Sequence, residues 1–311
     1  MQRFTSIAAL TAMLLTAAAC GSDPVDAGTT STTTAPTSAP AGADTTAPDT
    51  TVDPTLPKAI ISLSPSGTEM LFAIGAGAQV VAIDDQSNFP ADALTKEHDL
   101  SGFEPNVEAI AKLKPDLVVM SDTKIQDQLT SLGIKVWIGA APSSFDDVYT
   151  QIEQLGAATG HVGAAAEVVS KMQADIKAAV AGVKAPASPL NVYHELDNTF
   201  YSVTSNTFIG KVYALFGLKN IADGAQPGND YPQLNAEYIV KANPDLIVLA
   251  DSKCCAQTAE VVGARPGWSS ISAVTHKGVI AVDDDIASRW GPRIVDFVKA
   301  VAAGLAKVPA S

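Results

Sequence analysis

From residue 57 onward, short and largely apolar runs alternate with helical patterning. Ala59 to Leu63, Val80 to Ile83, Leu117 to Met120, Asn191 to Glu195 and Leu246 to Leu249 are runs of four or five residues bounded by Gly, Pro, Asn, Asp or Ser. Such runs predict strands buried within a sheet. Gly67 to Ala76 and Phe208 to Phe216 read as helices, the second leaving through Gly217-Leu218. Strands alternating with helices predict βαβ units and mostly parallel sheets. Gly163 to Val183 is Ala-rich and free of proline, with Val168, Met172, Ile176 and Val180 at helical spacing. At 1.5 Å per residue it would span about 30 Å, enough to join two lobes, the alternative being an ordinary helix of one lobe.

Pro105 to Asp122 returns as Leu234 to Asp251. Asn106, Glu108, Ile110, Lys112, Pro115, Asp116, Leu117, Val119 and Asp122 recur as Asn235, Glu237, Ile239, Lys241, Pro244, Asp245, Leu246, Val248 and Asp251. In each copy an Asn can cap a short helix, and Glu takes the second helical position, where the dipole favours it. Pro and Asp then make a turn into a buried strand, and an Asp follows the strand. The period is too long for a solenoid and implies two homologous lobes. The predicted fold is therefore α/β: two similar lobes with mostly parallel central sheets, joined by one long helix, with a ligand cleft between them.

Composition refines this picture. The 311-residue chain is 47% hydrophobic and carries a formal charge of −13, which argues against a nucleic-acid partner. Residues 1–20 place Arg3 before an apolar stretch from Ile7 to Leu15 and end Thr16-Ala17-Ala18-Ala19-Cys20. This is the build of an export signal too short to span a membrane, and small residues before a cysteine match the bacterial lipoprotein pattern, with Ala17 standing where Leu is commoner. Lipidation of Cys20 is expected; ordinary secretion is the alternative. Residues 21–56 are rich in Thr, Ser, Pro and Ala and read as a disordered tether. The expected division is a signal over 1–20, tether 21–56, N-terminal lobe 57–160, linking helix 161–187 and C-terminal lobe 188–311.

In open α/β sheets, ligands bind beyond the carboxyl ends of the strands. The candidates there are Ser64, Pro65, Asp85, Gln86, Phe103, Asp122 and Thr123 in the first lobe. In the second they are Glu195, Tyr231, Asp251, Lys253 and the segment Asp283 to Arg293, which puts Arg289, Trp290 and Arg293 among three acids. Arg can fork onto a carboxylate or phosphate and Trp offers a flat face, while the plainer reading pairs the arginines with the segment's own acids. His98, His161, His194 and His276 are scattered, so no metal site is expected.

Ile61-Ser62-Leu63-Ser64-Pro65-Ser66-Gly67-Thr68-Glu69, Asn106 to Ile110 with Lys114 to Val118, and the Arg289 to Arg293 stretch resemble the substrate-binding proteins of ABC importers for vitamin B12, iron siderophores and haem, most closely the B12-binding branch. The resemblance covers about residues 57–307. It implies an extracytoplasmic, lipid-anchored, monomeric receptor on the outer face of the cytoplasmic membrane, with a permease dimer as partner and no cofactor beyond a bound cobalt or iron chelate. It also implies permease docking through Glu108 and Glu237, the pair that the internal repeat marks independently. Phe103 and Tyr231 match cleft aromatics of that branch, and Trp290 is an additional candidate. The implied ligand is cobalamin or another corrinoid, with siderophore, haem, or a sensor or scaffold without transport as alternatives.

Cys254 and Cys255 are adjacent. A vicinal disulfide is expected in an exported protein, with free thiols or thiolate contact to a metal-bearing ligand as alternatives. Catalysis is not expected. Ser64 lacks the Gly-x-Ser-x-Gly elbow, no His is spaced to serve it, and no phosphate loop or dinucleotide glycine pattern appears.

Overall fold

A computed structural model describes residues 55–309 apart from 185 and 187. The export signal, Cys20 and nearly all of the expected tether lie outside the described residues. Two parallel sheets form the described body. The first has strands β1 (Ile60–Leu63), β2 (Val80–Asp84), β3 (Glu97–Leu100), β4 (Leu117–Met120) and β5 (Lys135–Ile138) in the order β3-β2-β1-β4-β5. The second has β6 (Asn191–Glu195), β7 (Lys219–Asn220), β8 (Leu246–Leu249) and β9 (Val279–Ala281) in the order β7-β6-β8-β9. Every residue of β1, β4 and β8 is buried, as expected of central parallel strands covered on both faces. The second sheet repeats the first without a counterpart of β3.

The covering helices of the first lobe are α1 (Pro65–Ala73), α2 (Val107–Lys112), α3 (Gln126–Ser131) and α4 (Phe145–Thr159). Helix α5 (Val162–Ala181) follows, and the second lobe carries α6 (Phe208–Ala214), α7 (Ala236–Ala242), α8 (Ala259–Gly263), α9 (Ser272–Thr275), α10 (Asp284–Ser288) and α11 (Ile294–Leu305). Helix α5 packs on α4 of one lobe and α11 of the other. Its fully buried residues are Ala165, Val169, Met172 and Ile176, while Val168 and Val180 pack partly buried against the same core. One apolar cluster runs without a break from Ile60 and Leu155 through Met172 to Val248 and Phe297, joining the lobes at their backs.

Helix α1 begins two residues earlier than the pattern predicts. Ser64 caps it, its hydroxyl accepting from the Gly67 N–H at 3.2 Å, and Pro65 occupies the first helical position, where its missing N–H costs nothing. Gly67 then sits where α1 crosses β4, and a Cβ there would lie 2.6 Å from the Val119 side chain.

The repeat has a physical basis. Asn106 accepts from the Ala109 N–H at 3.0 Å and Asn235 from the Tyr238 N–H at 2.8 Å, so both copies cap their helix in the same way. Lys114 and Asn243, at one repeat position, leave those helices with left-handed φ of 51° and 47°. The repeated Asp does more than turn the chain. Asp116 accepts from the backbone of Lys58 and Ala59 at 2.7 and 3.0 Å, and Asp245 from that of Asn191 at 2.9 Å. Each carboxylate thus fixes the entry of the neighbouring central strand.

Candidate functional site

The carboxyl end of the first sheet opens on a cleft between the lobes, in which two hollows meet at Trp290. One, about 400 Å³, is lined by Ser64, Pro65, Gln86, Phe103, Asp122 and Lys124 together with Arg289 and Trp290. The other, about 210 Å³, lies among Pro142 and Ser143 of the first lobe and Asn206, Phe208, Asp230 and Tyr231 of the second, again with Arg289 and Trp290. These sizes suit part of a small-molecule site. Trp290 is half-buried, Tyr231 is 54% exposed and Phe103 is 69% exposed, so the two outer rings are open to solvent. A larger hollow of about 730 Å³ lies away from the cleft among Val180, Leu215 and Leu305, with Lys184 and Lys307. It lacks the convergent polar groups of a binding site, and we place the candidate site in the cleft.

The lobes are tied beside this cleft. Glu69 of α1, 3% exposed, receives Arg289 Nη1 at 3.1 Å and Arg293 Nε at 2.9 Å, with Arg293 Nη2 on its other oxygen. Arg289 also donates to Asn88 Oδ1 at 2.8 Å, the Gln86 carbonyl at 2.9 Å and Asp285 at 2.8 Å. The Arg293 guanidinium lies 4.2 Å from the centre of the Phe89 ring. Burial opposes the Arg293 charge, but Glu69 outweighs it and holds the pKa above the usual value. Phe145 and Phe208 add a ring contact across the lobes at 5.3 Å. The arginines of the 283–293 segment therefore serve the interlobe tie, and only Arg289 also reaches the cleft wall. Glu69, Asn88 and Phe89 are not among the site residues that strand ends and motifs point to. The one signal was an acid next to Met70 and Leu71 on an otherwise apolar helix, since a buried carboxylate needs a partner.

The structure removes two acids from the candidate site. Glu195 is fully buried, with its two oxygens held by Arg265 at 2.6 and 2.7 Å, and Arg265 lies over the Trp268 and Phe200 rings at 4.6 and 5.3 Å. Asp251 is also fully buried, and among the described residues neither of its oxygens has a donor. Burial first, and the adjacent Glu195 charge next, push Asp251 up to about 7. Arg265 is spent on Glu195 and Gln257, so the raised value favours a protonated Asp251, whose O–H has the adjacent Glu195 carboxylate as an acceptor. Both acids face the second lobe's own core instead of the cleft.

Lys253 is exposed and pairs with Asp283 and Asp285 at 2.7 and 2.9 Å. Asp85 caps the Gly102 N–H at 3.0 Å, and Thr123 is exposed beside the cleft wall. The expected vicinal disulfide is not formed: Cys254 and Cys255 are free thiols. Their loop is held without it, because Asp284 accepts from the Lys253 and Cys254 N–H groups and the Cys255 N–H returns to Asp251 O. Burial, then the neighbouring Cys255, push the Cys254 thiol up to about 12, which favours its protonated form. Among the described residues no group of His, Cys, Asp and Glu is placed to hold a metal ion. His194 is buried against the Tyr213 hydroxyl, and burial lowers it to about 3.

Glu108 and Glu237, in the first turns of α2 and α7, are exposed and have no ion-pair partner among the described residues.

A family profile described as periplasmic binding protein matches residues 60–286. An uncharacterised ABC transporter substrate-binding lipoprotein of Bacillus subtilis, YvrC, is 34% identical over 79% of this chain and 79% of its own. A cobalamin-binding protein of Halobacterium salinarum is 30% identical over 77% of this chain and 67% of its own. Among solved structures, the periplasmic vitamin B12 binding protein BtuF of Vibrio cholerae superimposes with a TM-score of 0.67 at 25% identity, over 80% of this chain and 97% of that one.

Proposed function

The chain belongs to the periplasmic binding protein family, and from that premise we propose that it is the lipid-anchored receptor of an ABC importer, which takes a corrinoid into the interlobe cleft and delivers it to a permease dimer. The observation that carries this reading is the cleft itself. Trp290 stands between two hollows built from both lobes, with Phe103 and Tyr231 open at their walls. Flat apolar rings flanked by hydrogen-bonding hydroxyls and amides suit a large planar chelate with amide arms. The cobalamin-binding relative supports the same ligand class.

Delivery rests on a second surface. The repeat sets Glu108 and Glu237 at equivalent, exposed positions, one per lobe, without an ion-pair partner among the described residues. Like charges so arranged suit a two-fold partner that presents basic groups. The continuous core along α5 resists wide hinging, so ligand-linked movement of the lobes is small.

The test is titration of the purified protein with cyanocobalamin, cobinamide, haem and ferric siderophores, followed by tryptophan fluorescence and calorimetry. Corrinoid binding at micromolar or lower concentration is expected, with Trp290→Ala weakening it by about 30-fold, as for a central aromatic anchor worth about 2 kcal/mol. The double variant Glu108→Ala, Glu237→Ala is expected to bind unchanged in solution and to lose uptake in cells. A response to haem or a siderophore alone would keep the receptor and change its cargo, while silence with every ligand would remove the receptor reading.

A further inference from the structure

We infer that the clamp on Glu69 makes the cleft discriminate against negatively charged ligands, so that the cargo is a neutral or cationic chelate. The inference rests on the receptor reading and names the charge class of its ligand.

Among the described residues lining the two hollows, the cations are Lys124 and Arg289. Neither is unpaired. Lys124, its side chain 62% exposed, meets Asp122 at 3.3 Å on the same wall, so the two together add no net charge to it. Arg289 has both Nη atoms committed, to Glu69 and Asn88 on one side and to the Gln86 carbonyl and Asp285 on the other, with its side chain only 11% exposed. Turning Arg289 onto a ligand anion would take a partner from Glu69, a carboxylate that is 3% exposed and cannot recover it from water. Arg293, the other partner of Glu69, is absent from the lining of either hollow.

The surrounding charge has the same sign as an incoming anion. In the clamp and the segment behind it, the four carboxylates Glu69, Asp283, Asp284 and Asp285 meet the three cations Lys253, Arg289 and Arg293. Burial would raise Asp284, but the backbone N–H groups of Lys253 and Cys254 and the Ser252 hydroxyl outweigh it and hold the pKa below the usual range. Asp285 is likewise raised by burial and held lower overall by Lys253, Asn88 and Arg289. In the smaller hollow Asp230 is lowered by hydrogen bonds from Thr204 and Asn206. Besides Asp230 and the Asp122–Lys124 pair, what remains for recognition is neutral: the hydroxyls of Ser66, Ser143, Ser288 and Tyr231, the amide of Gln86 and the aromatic faces. Such a wall can hydrogen-bond amides, whereas a carboxylate or catecholate would enter a net negative cleft in which each lining cation already has a carboxylate partner.

The test compares cyanocobalamin with its monocarboxylate, in which one peripheral propionamide has been hydrolysed, so that shape is nearly constant and one negative charge is added. Calorimetry on the wild-type protein at low salt is expected to show the neutral form binding about five- to ten-fold more tightly, the effect of one unfavourable charge at intermediate range in a partly solvated site. Raising salt narrows that ratio in the wild type, without recourse to any variant. Glu69→Gln and, independently, Asp285→Asn each narrow it to within about two-fold at low salt, with thermal melts verifying that each variant is folded. Equal or tighter binding of the carboxylate by the wild type, or a ratio insensitive to salt and to both variants, overturns the inference and leaves the receptor reading standing. Tight binding of dianionic haem does the same. Failure to bind any of these ligands removes the receptor reading and this inference with it.

Discussion

Asp122 and Asp251 hold the same place in the repeat, two residues past a strand end, and live in opposite surroundings. Asp122 is half-buried, pairs with the exposed Lys124 and lines the larger hollow of the cleft. Asp251 is sealed from solvent beside Glu195, under an arginine that lies over Trp268 and Phe200. The backbone pattern leading to each is the same: a capped helix, a left-handed exit, and an Asp pinning the next strand. The difference comes from what covers the strand end. In the first lobe it faces the cleft; in the second it is roofed by Phe200, Arg265 and Trp268, which turns a ligand-facing position into core. Repetition of sequence thus conserves the scaffold while leaving the chemistry of equivalent positions free to diverge.

The sharpest way to break this comparison is to remove the cation on each side. Arg265→Ala strands Glu195 as a buried charge and is expected to cost about 3 to 5 kcal/mol in urea unfolding. Lys124→Ala removes one end of a solvated pair and is expected to leave the unfolding curve unchanged. Similar losses for the two would mean that the second lobe's strand end is open after all.

A smaller effect follows from the buried proton. Asp251 titrates near 7 in the folded protein against an ordinary value of 3.8, so the folded state holds a proton that the unfolded state releases between those limits. Its contribution to stability is complete below about pH 4. It declines as pH rises toward 7, by at most about 1.4 kcal/mol per pH unit, and is lost above that. Asp251→Asn keeps a neutral donor toward Glu195, so unfolding midpoints measured at pH 5, 6.5 and 8 should show a shallower decline and a variant more stable than wild type at pH 8. An unchanged slope in Asp251→Asn would show that the proton lies elsewhere.

The smallest effect tests where the lobes agree. Asn106→Ala and Asn235→Ala remove equivalent caps and should each cost about 1 kcal/mol. Costs differing several-fold would mean that the repeat no longer has the same structural role in both lobes.

Much of this architecture is legible in the chain because it is local. Strands β1, β2, β4, β6 and β8 show as short buried runs, and the caps at Asn106 and Asn235 as Asn ahead of helical patterning. Strand β3, Glu97-His98-Asp99-Leu100, escapes notice because it lies at a sheet edge and only Leu100 is buried. Helix α4 was missed although its signals are present: a capping box of Ser144 with Asp147 and a left-handed Gly160 at its end. The site is harder to read. Trp290, Tyr231, Phe103 and Asp122 could be named from strand ends and aromatic character, whereas Ser143, Asn206 and Asp230 come from segments with no motif.

By itself the sequence determined the two-lobed parallel α/β design, the internal repeat and the exposed glutamate on each copy, since these follow from periodicity and capping over a few residues. Only the tertiary structure decided the partners of the charged groups. Glu69 meets Arg293 across 224 positions of chain and Arg265 meets Glu195 across 70. The same arginine side chain can bind a ligand, tie two lobes or neutralise a buried acid, and the choice depends on which distant carboxylate the fold brings within hydrogen-bonding distance and out of water.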